Sequence, residues 1–424
     1  MRIIADLQVH SPYSRATSPN MNLKELDHFA QLKGLTVVGT GDFTQPDWRS
    51  GLSRDLKEDA GSGLYRLKSS PSSIRFMITG EVNTTFAFED RSRRVHHCLL
   101  APSLESAGAV SDRLHRFGNL ASDGRPILKM SAPELVDEVL EADPHCVVFP
   151  AHAWTPWFGV FGSNSGFDSI RDCYQERMDR IFALETGMSS DPAMNWRLSQ
   201  LDNFCLVSNS DAHSAWPWRL GREANVFEFD RPTYDGIVDA IRTQDTVHFS
   251  FTIETAPAYG KYHWTGHRPC GISMSGADAK KAGNNCPKCG KKMTRGVEER
   301  VEELADRKPW FEPEGAIGFR HLLPLSEIIG LVIGEQNPGS AKVWEIYNAL
   351  TKKLQSEYSI MLDASADELV ESAGLELASA ILKVRSDNVR VEPGYDGVYG
   401  KIHLDEAEPE AVDRKVVEPL QDWC

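Results

Sequence analysis

The sequence lacks any hydrophobic run approaching the roughly 18 residues of a membrane-spanning helix. Its first residues, Met-Arg-Ile-Ile-Ala-Asp, read as the start of a strand and contain no apolar signal-peptide core. Internal repeats, low-complexity tracts and the Gly-x-x-x-x-Gly-Lys-Ser/Thr pattern of a P-loop are also missing. These absences exclude membrane-spanning, repeat and P-loop proteins, and they predict a cytoplasmic protein without a membrane partner.

Cysteine is scarce, with 8 residues in a chain of 424. Four of them are scattered through apolar stretches, as small core residues are. Three others fall between positions 270 and 289. This distribution excludes a disulfide framework and predicts a metal site in a reducing compartment.

Positive charge is also limited, because 46 Lys and Arg residues stand against 61 Asp and Glu residues, for a net charge of −15. Nucleic-acid-binding proteins usually carry a basic footprint. Here basic residues concentrate only at positions 91–94 and 280–295, and the tail at 405–418 adds acid. Carboxylates that hold metal ions would account for part of the acidity, since bound cations reverse the local charge. The charge therefore weakens a nucleic-acid-binding function without excluding it.

The first 250 residues alternate short apolar segments with helical patterns, which predicts an α/β fold. Strands are expected at 3–9, 35–38, 76–81, 146–149, 181–184 and 204–207. Ser131-Ala-Pro-Glu134 has the form of a capping box and predicts a helix that runs to Ala142. Further helical patterns occupy 297–306, 341–357 and 366–384.

Metal-binding side chains follow five of these strands at or near their ends. They are His10, Asp42, Glu81, His152, and the pair Asp211 and His213. A single histidine of this kind is as often a core residue, but a barrel of parallel strands would bring the whole set to one face. Imidazole with carboxylate suits zinc, manganese or iron. Two such ions could clamp a phosphodiester, so the set predicts a metal-dependent phosphoesterase.

Six segments resemble the polymerase-and-histidinol-phosphatase (PHP) phosphoesterases. They are Asp6-Leu-Gln-Val-His-Ser, Thr40-Gly-Asp-Phe-Thr, Thr79-Gly-Glu81, His96-His-Cys-Leu-Leu-Ala, Pro150-Ala-His152 and Ser208-Asn-Ser-Asp-Ala-His213. The resemblance implies a distorted (β/α)7 barrel with two or three divalent ions, Zn, Mn, Mg or Fe. Its implied metal ligands are His10, Gln8, Asp42, Glu81, His96, His152, Asp211 and His213, with Asp211, His213 and Glu81 as catalytic residues.

Adjacent strand residues face opposite sides, so only one of His96 and His97 can reach the metals. The family pattern His-x-x-x-Leu-Ala selects His96. The chain departs from the family at Gln8, where a histidine is expected, at Arg15, where an acid is common, and at Phe43, where another histidine is expected. These departures put the third metal in doubt and weaken Asp42 as a ligand.

The clustered cysteines form a second motif. His267-Arg-Pro-Cys270 is followed by Cys286-Pro-Lys-Cys289-Gly, and two such knuckles predict a closed, tetrahedral Cys3His zinc site. His263 also lies near, but the two-residue gap between His267 and Cys270 mirrors the other knuckle. We therefore expect His267 to be the fourth ligand.

The PHP motifs, the cysteine module and the helical remainder together resemble the endonuclease Q family in particular. That resemblance implies a barrel over 1–253, a zinc module over 254–296 and a mainly helical domain over 297–424 that contacts DNA. It also implies a repair endonuclease that nicks DNA 5′ of deaminated bases (uracil, hypoxanthine, xanthine) or abasic sites. The alternatives are a small-molecule phosphatase and a catalytically degenerate nucleic-acid-binding protein.

The loop after His152 is unusually aromatic. An enzyme that acts beside one lesion must take that base out of the stack and hold it. Trp154, Trp157 and Phe158 are the residues expected to form such a base pocket, although packing beneath the barrel rim would explain them equally well.

Overall fold

The structure is a computed structural model that describes residues 1–404, so the acidic tail lies outside the described residues. Strands alternate with helices along the first 250 residues, and the predicted α/β class is confirmed. The strands are β1 (Arg2–Asp6), β2 (Val37–Gly39), β3 (Leu56–Glu58), β4 (Tyr65–Leu67), β5 (Arg75–Phe88), β6 (Arg91–Ala101), β7 (Ile127–Leu128), β8 (Val147–Pro150), β9 (Ala183–Glu185), β10 (Cys205–Val207), β11 (Ala224–Glu228), β12 (Phe249–Glu254), β13 (Thr265–His267), β14 (Ile272–Met274), β15 (Gly318–His321), β16 (Arg390–Glu392) and β17 (Lys401–His403).

The helices cover the ring in the first part of the chain and dominate the last part. They are α1 (Leu23–Lys33), α2 (Pro46–Asp55), α3 (Leu104–Leu114), α4 (Ala132–Ala142), α5 (Ile170–Tyr174), α6 (Pro192–Asn195), α7 (Tyr234–Thr243), α8 (Gly276–Lys281), α9 (Val297–Leu304), α10 (Leu325–Ile333), α11 (Ala341–Leu354) and α12 (Ala366–Arg385). Within residues 1–404, none of them combines the length and hydrophobicity needed to cross a bilayer.

Seven strands form a ring in the order β1, β2, β5, β6, β8, β9, β10. The β1–β2, β2–β5 and β9–β10 pairs are parallel, whereas β6 runs antiparallel to both β5 and β8. Single contacts close the remaining gaps: Ala153 N–H donates to Glu185 O (2.9 Å), and His10 N–H donates to Ala212 O (3.0 Å). The carboxyl ends of β1, β2, β8, β9 and β10 therefore meet on one side of the ring.

Additional strands extend the sheet outward from β1. β11 pairs antiparallel with β1, β12 pairs antiparallel with β11, and β15 pairs parallel with β12. Because β15 lies beyond residue 297, the segment expected to be a separate helical domain contributes a strand to the sheet of the first one. β13 with β14, and β16 with β17, form separate two-stranded hairpins.

Local signals set the helix ends. The Asn22 side chain accepts the N–H groups of Lys24 and Glu25 at the start of α1, and Gly34 ends that helix with φ 92°, a left-handed conformation that glycine adopts without strain. The predicted capping box of α4 is confirmed, because Ser131 and Glu134 bond to each other's backbone N–H groups.

A buried ion pair joins the last helices to the ring. Lys33, at the end of α1, and Glu357, after α11, are each 2% exposed at the side chain and lie 2.7 Å apart. Glu357 also accepts the N–H of Leu325 (3.0 Å) and the hydroxyl of Tyr347 (2.9 Å). Lys33 donates a second bond to the carbonyl of Pro217 (2.8 Å), so the pair is fully hydrogen-bonded.

We expect Glu357→Ala to destabilise the protein by about 3–5 kcal/mol, because it leaves the Lys33 ammonium buried without its counter-ion. The midpoint of urea denaturation measures the loss. Lys281→Ala, which removes an exposed pair with Asp278, is the control and should leave the midpoint unchanged. Equal midpoints for Glu357→Ala and the wild type would contradict the role of the pair.

Candidate metal centre

Two groups of possible metal ligands lie side by side at the centre of the ring. They consist of Glu81, His96 and His152, and of His10, Asp211 and His213. Within each group, one ligand atom from each residue lies within 4.8 Å of the others. His10 connects the groups, because its Nε2 lies 2.8 Å from Asp211 Oδ1 and 3.1 Å from Glu81 Oε2.

Glu81 is the most connected residue of the first group. Its Oε1 lies 2.6 Å from His96 Nδ1 and 3.3 Å from His152 Nε2. The two imidazoles are themselves 3.2 Å apart between His96 Nδ1 and His152 Nε2. Asn83 donates to His96 Nε2 (2.9 Å) and so orients the ring.

The expectation that Glu81 ends its strand is wrong. β5 continues for seven residues beyond it to Phe88, because β5 and β6 form a long antiparallel hairpin. Glu81 instead reaches the centre from the middle of β5, and His96 reaches it from the middle of β6, opposite Asn83. The alternation of strand residues, rather than a strand end, aims both side chains inward.

The opposite face of β6 carries His97, as the alternation predicts. His97 is fully buried, with Nε2 2.8 Å from Thr84 Oγ1 and Nδ1 2.7 Å from the hydroxyl of Tyr174. Both ring nitrogens thus have protein partners, and burial lowers the pKa of His97 to about 3. His97 is a neutral core residue.

Three of the site residues have a backbone conformation that residues other than glycine rarely adopt. Asp42 (φ 49°), His152 (φ 31°) and Asp211 (φ 49°) all have positive φ, which costs roughly 1–3 kcal/mol at each position. A hydrogen bond stabilises this conformation at His152, because its N–H donates to Glu185 Oε2 at 2.7 Å. Strain shared by three residues of one cluster marks it as a functional site.

Asp42 belongs to neither group of ligands. Its Oδ1 lies 3.0 Å from His10 Nδ1, and its Oδ2 accepts the N–H and hydroxyl of Ser11 (both 2.6 Å) and the hydroxyl of Ser14 (3.0 Å). Both oxygens are therefore occupied by protein donors. In this position Asp42 orients the imidazole of His10, as carboxylates behind metal-binding histidines do.

The charge states of the cluster suit cation binding. Burial would raise the pKa of Glu81, but Arg125 and His96 outweigh it and hold that pKa well below its usual value. Burial is likewise outweighed at Asp211, whose pKa is lowered by His10 and His213. Burial lowers the pKa of His96 to about 4 and also lowers that of His213. At His10 and His152 burial is outweighed by Asp42 and Glu81 respectively, and the pKa is raised, so a cation would displace a proton from these two imidazoles. The ionised carboxylates and the neutral His96 and His213 are donors of the kind that a divalent metal requires.

Gln8 occupies the corner where the PHP family has a histidine. Its Nε2 donates to Glu81 Oε2 (2.8 Å), while its Oε1 is buried without a hydrogen-bond partner among the described residues. A buried oxygen without a partner is rare and marks a place for a ligand. Phe43 is 1% exposed and packs beside Gly80, where it offers no donor atom. The residues present thus fit metal ions bound by the two groups.

Sequence reasoning missed two ionisable residues next to this cluster, the buried Glu185 and the partly buried Arg125. Glu185 ends β9, bonds to His152 N–H and accepts the amide of Asn209 (2.7 Å), and burial raises its pKa to about 8. A signal existed, because Glu185 directly follows an expected strand. Arg125 lies 3.4 Å from Glu81 Oε2 on a loop without any pattern that could have identified it.

The structure also brings His267, Cys270, Cys286 and Cys289 together, with one ligand atom from each within 4.8 Å of the others. His267 Nδ1 lies 3.6 Å from Cys289 Sγ. Burial would raise the pKa of Cys286, but the backbone N–H groups of Lys288 and Cys289 lower it to about 7, which favours the thiolate that zinc binds. His263 is not part of this group.

The aromatic residues of the loop after His152 separate into three environments. Trp154 is 1% exposed, stacks on Phe161 at 4.7 Å and donates to Asn195 Oδ1 (2.7 Å), so it packs beneath the rim. Phe158 is half-buried and stacks on His96 with ring centroids 4.5 Å apart. Trp157 is 42% exposed. The structure thus leaves Trp157 as the accessible aromatic surface of this loop.

Trp157 lines a cavity of about 380 Å³ between the loop and the cysteine module. The other residues of its wall are Asn164, Asn284, Lys292, Met293, Thr294 and Arg295. Five of these come from the module and one from the loop, so the cavity exists only because the two segments meet. It is within the size range of small-molecule sites.

A strand ring that encloses a centre of histidines and carboxylates is typical of hydrolases. Comparison with solved structures identifies closely similar chains. The lesion-specific endonuclease PfuEndoQ of Pyrococcus furiosus has 32% sequence identity and a TM-score of 0.85, over 97% of this chain and 98% of that one. Endonuclease Q bound to a 27-mer duplex with an abasic lesion at the active site matches with the same identity and TM-score, over 97% and 99% of the two chains. The chain belongs to the endonuclease Q family.

Sequence comparisons add two matches. The MJ0043 C-terminal domain family matches residues 324–388, which contain α10, α11 and α12. The MJ0043 protein of Methanocaldococcus jannaschii is 36% identical over 259 residues, which are 59% of this chain and 31% of that protein. The match therefore spans about a third of the length of that relative.

We expect the two sites to bind metal independently. Asp211→Ala should abolish hydrolysis and remove metal from the ring but leave one zinc per chain, because it spares the cysteine module. Cys286→Ser combined with Cys289→Ser should release that zinc and leave the ring loaded. Elemental analysis of purified, folded variants measures both. Full activity in Asp211→Ala, or unchanged zinc in the double variant, would contradict the assignments.

Proposed function

We propose that the protein is a PHP-type, metal-dependent DNA endonuclease that nicks the phosphodiester 5′ of a deaminated base or an abasic site. The observation that carries this proposal is the cavity between the loop after His152 and the cysteine module. Trp157 lines it, and the next residue, Phe158, stacks on His96 of the first ligand group. A flipped base in the cavity would therefore bring its own backbone to the metals.

In this proposal the ring supplies the chemistry. Divalent ions bound there would lower the pKa of a coordinated water and stabilise the charge on the phosphate. Glu81 and Asp211 hold those ions through ionised oxygens, and His213 contributes a neutral imidazole next to Asp211. Asp42 keeps His10 in the correct orientation through the 3.0 Å bond to Nδ1. His10, Asp42 and Glu81 are buried, which limits competition from solvent on that side of the centre.

The cavity wall suits the bases that deamination produces. Deamination replaces an exocyclic amine, a hydrogen-bond donor, with a carbonyl oxygen, an acceptor. Asn164, Asn284, Lys292 and Arg295 all carry N–H donors. Asn284, Lys292 and Arg295 each use part of theirs on Glu299, the Gly283 carbonyl, and Glu299 with Glu303, respectively, and each has further N–H groups. Such a wall would favour uracil, hypoxanthine and xanthine over their parent bases. An abasic site has no base for the wall to reject, so it would also be accepted.

The parts of the chain have separate roles under this proposal. Residues 1–253 carry out hydrolysis, 254–296 form a Cys3His zinc module that supplies most of the cavity wall, and 297–424 contact DNA beyond the lesion. The two relatives described above support DNA as the substrate, because one is called lesion-specific and the other is bound to a duplex with an abasic lesion.

A substrate panel tests the proposal. We expect nicking of duplexes that contain uracil, hypoxanthine or an abasic site, and little cleavage of undamaged duplex or p-nitrophenyl phosphate. Product mapping should place the nick on the 5′ side of the lesion. Preferential cleavage of the monoester would instead support a small-molecule phosphatase. Binding of lesion DNA without any cleavage by metal-loaded protein would support a degenerate binding protein.

Two tryptophan variants test the cavity. Trp157→Ala should reduce nicking at uracil by about 5- to 150-fold, which corresponds to one lost stacking contact, and should spare cleavage of bis(p-nitrophenyl) phosphate. Trp154→Ala is the matched comparison: its ring is buried, so we expect a loss of about 3–5 kcal/mol in stability and equal losses on both substrates. Equal losses on both substrates for Trp157→Ala would show that Trp157 is only packing.

A further inference from the structure

We propose that Arg125 is a substrate-binding residue that holds the phosphate to be cleaved. This inference rests on the proposed function and extends it, because it assigns the cationic side chain that receives the phosphodiester. The position of the loop, the charges around it and the incomplete bonding of the guanidinium carry the argument.

The loop that bears Arg125 is fixed against the metal centre. Gly124 leaves no room for a side chain, since a Cβ there would lie 2.3 Å from Asp42 Oδ2 and 2.4 Å from Ser14 Oγ. Its N–H donates to the carbonyl of Tyr13 (3.1 Å), and Asp123 Oδ1 accepts the N–H of Arg125 (3.1 Å). The backbone of Arg125 is therefore held within a few ångströms of the metal-binding residues.

The charged groups that act on Arg125 are carboxylates of the metal centre. Burial alone would lower its pKa, but Glu81, Asp211 and Asp42 outweigh burial and raise it. Its charge is therefore permanent at any working pH. Arg125 in turn is the strongest influence that lowers the pKa of Glu81. It is a fixed positive charge among the three carboxylates of the centre.

The hydrogen bonds of this guanidinium are weak and few. Among residues 1–404, its side-chain bonds all come from Nη1 and all end on Glu81, at 3.4 and 3.5 Å. Glu81 has closer partners in His96 (2.6 Å), Gln8 (2.8 Å) and His10 (3.1 Å). Arg125 is thus not required to satisfy Glu81, and most of its donors remain for another acceptor.

A phosphodiester that approaches this centre needs such a donor. The side chain of Arg125 is 22% exposed, so an incoming ligand can reach it. Guanidinium groups bind phosphate through two parallel N–H bonds, which fix its orientation as well as its position. Gln8 and Phe43, which replace family histidines, leave the site with fewer metal-binding atoms. Arg125 supplies positive charge at Glu81 Oε2, the oxygen that Gln8 also contacts.

Phosphate binding gives a test that does not depend on turnover. Inorganic phosphate is titrated into metal-loaded protein by calorimetry, with metal content verified for each variant. We expect Arg125→Gln to weaken binding by about 10- to 100-fold, the effect of one lost charge-assisted bond. Arg15→Gln, which removes an exposed arginine near the same loop, is the control for net charge. Equal affinity in Arg125→Gln and the wild type would overturn the proposal, as would equal losses in both variants.

Kinetics with bis(p-nitrophenyl) phosphate and with lesion-containing duplex separate substrate binding from a structural role. We expect Arg125→Ala to lower kcat/KM by about 100-fold on both substrates, and free guanidinium chloride to restore part of it. Arg125→Lys keeps the charge, is the variant least prone to misfold, and should retain intermediate activity. Loss without rescue, accompanied by loss of metal or stability, would mean that Arg125 only supports the site.

Failure of this inference and failure of the proposed function give different results. If the wild type cleaves the small diester but spares lesion DNA, the proposed function fails, and the phosphate affinity of Arg125→Gln still decides the role of Arg125. If lesion DNA is nicked equally well by the wild type and by Arg125→Gln, the function stands and the role of Arg125 is refuted.

Discussion

Glu81 lies between the two ligand groups of the metal centre. Its contacts with the surrounding histidines constrain how the strands of the ring are arranged. Its oxygens lie within 3.3 Å of His10, His96 and His152, which come from three different strands or the loops that follow them. Burial would raise the pKa of Glu81, but Arg125 and the surrounding histidines outweigh it and keep the carboxylate ionised. A buried charge of this kind is costly unless it is paired, so the surrounding strands are constrained to bring their imidazoles to it.

The centre also stores strain that the rest of the fold must support. Asp42, His152 and Asp211 keep positive φ angles, and hydrogen bonds from neighbouring residues hold each of them. Ser11 and Ser14 fix Asp42, Glu185 fixes the backbone of His152, and His10 bonds to Asp211. Preorganisation of this sort is what allows a site to stabilise developing charge without rearranging during the reaction.

Two additions pack against the ring. The cysteine module meets the loop after His152, and residues of both segments line the cavity beside Trp157. On another side, the last helices are fixed to α1 by the pair of Lys33 and Glu357. The Lys33–Glu357 pair is buried, so the position of the last helices relative to α1 is fixed by the fold itself.

Signals between residues close in the sequence determined a large part of this protein: the α/β class, the capping box at Ser131, the pairing of cysteine knuckles, and the set of histidines and acids that the structure gathers. Such signals are readable because strand alternation, helix caps and knuckle spacing depend on near neighbours. Only the tertiary structure decided that Asp42 orients His10, that Trp154 is buried whereas Trp157 is accessible, and that Arg125 and Glu185 belong to the site. Arg125 meets Glu81 across 44 positions of sequence, and a contact over that separation has no local pattern, since it exists only after the ring has closed.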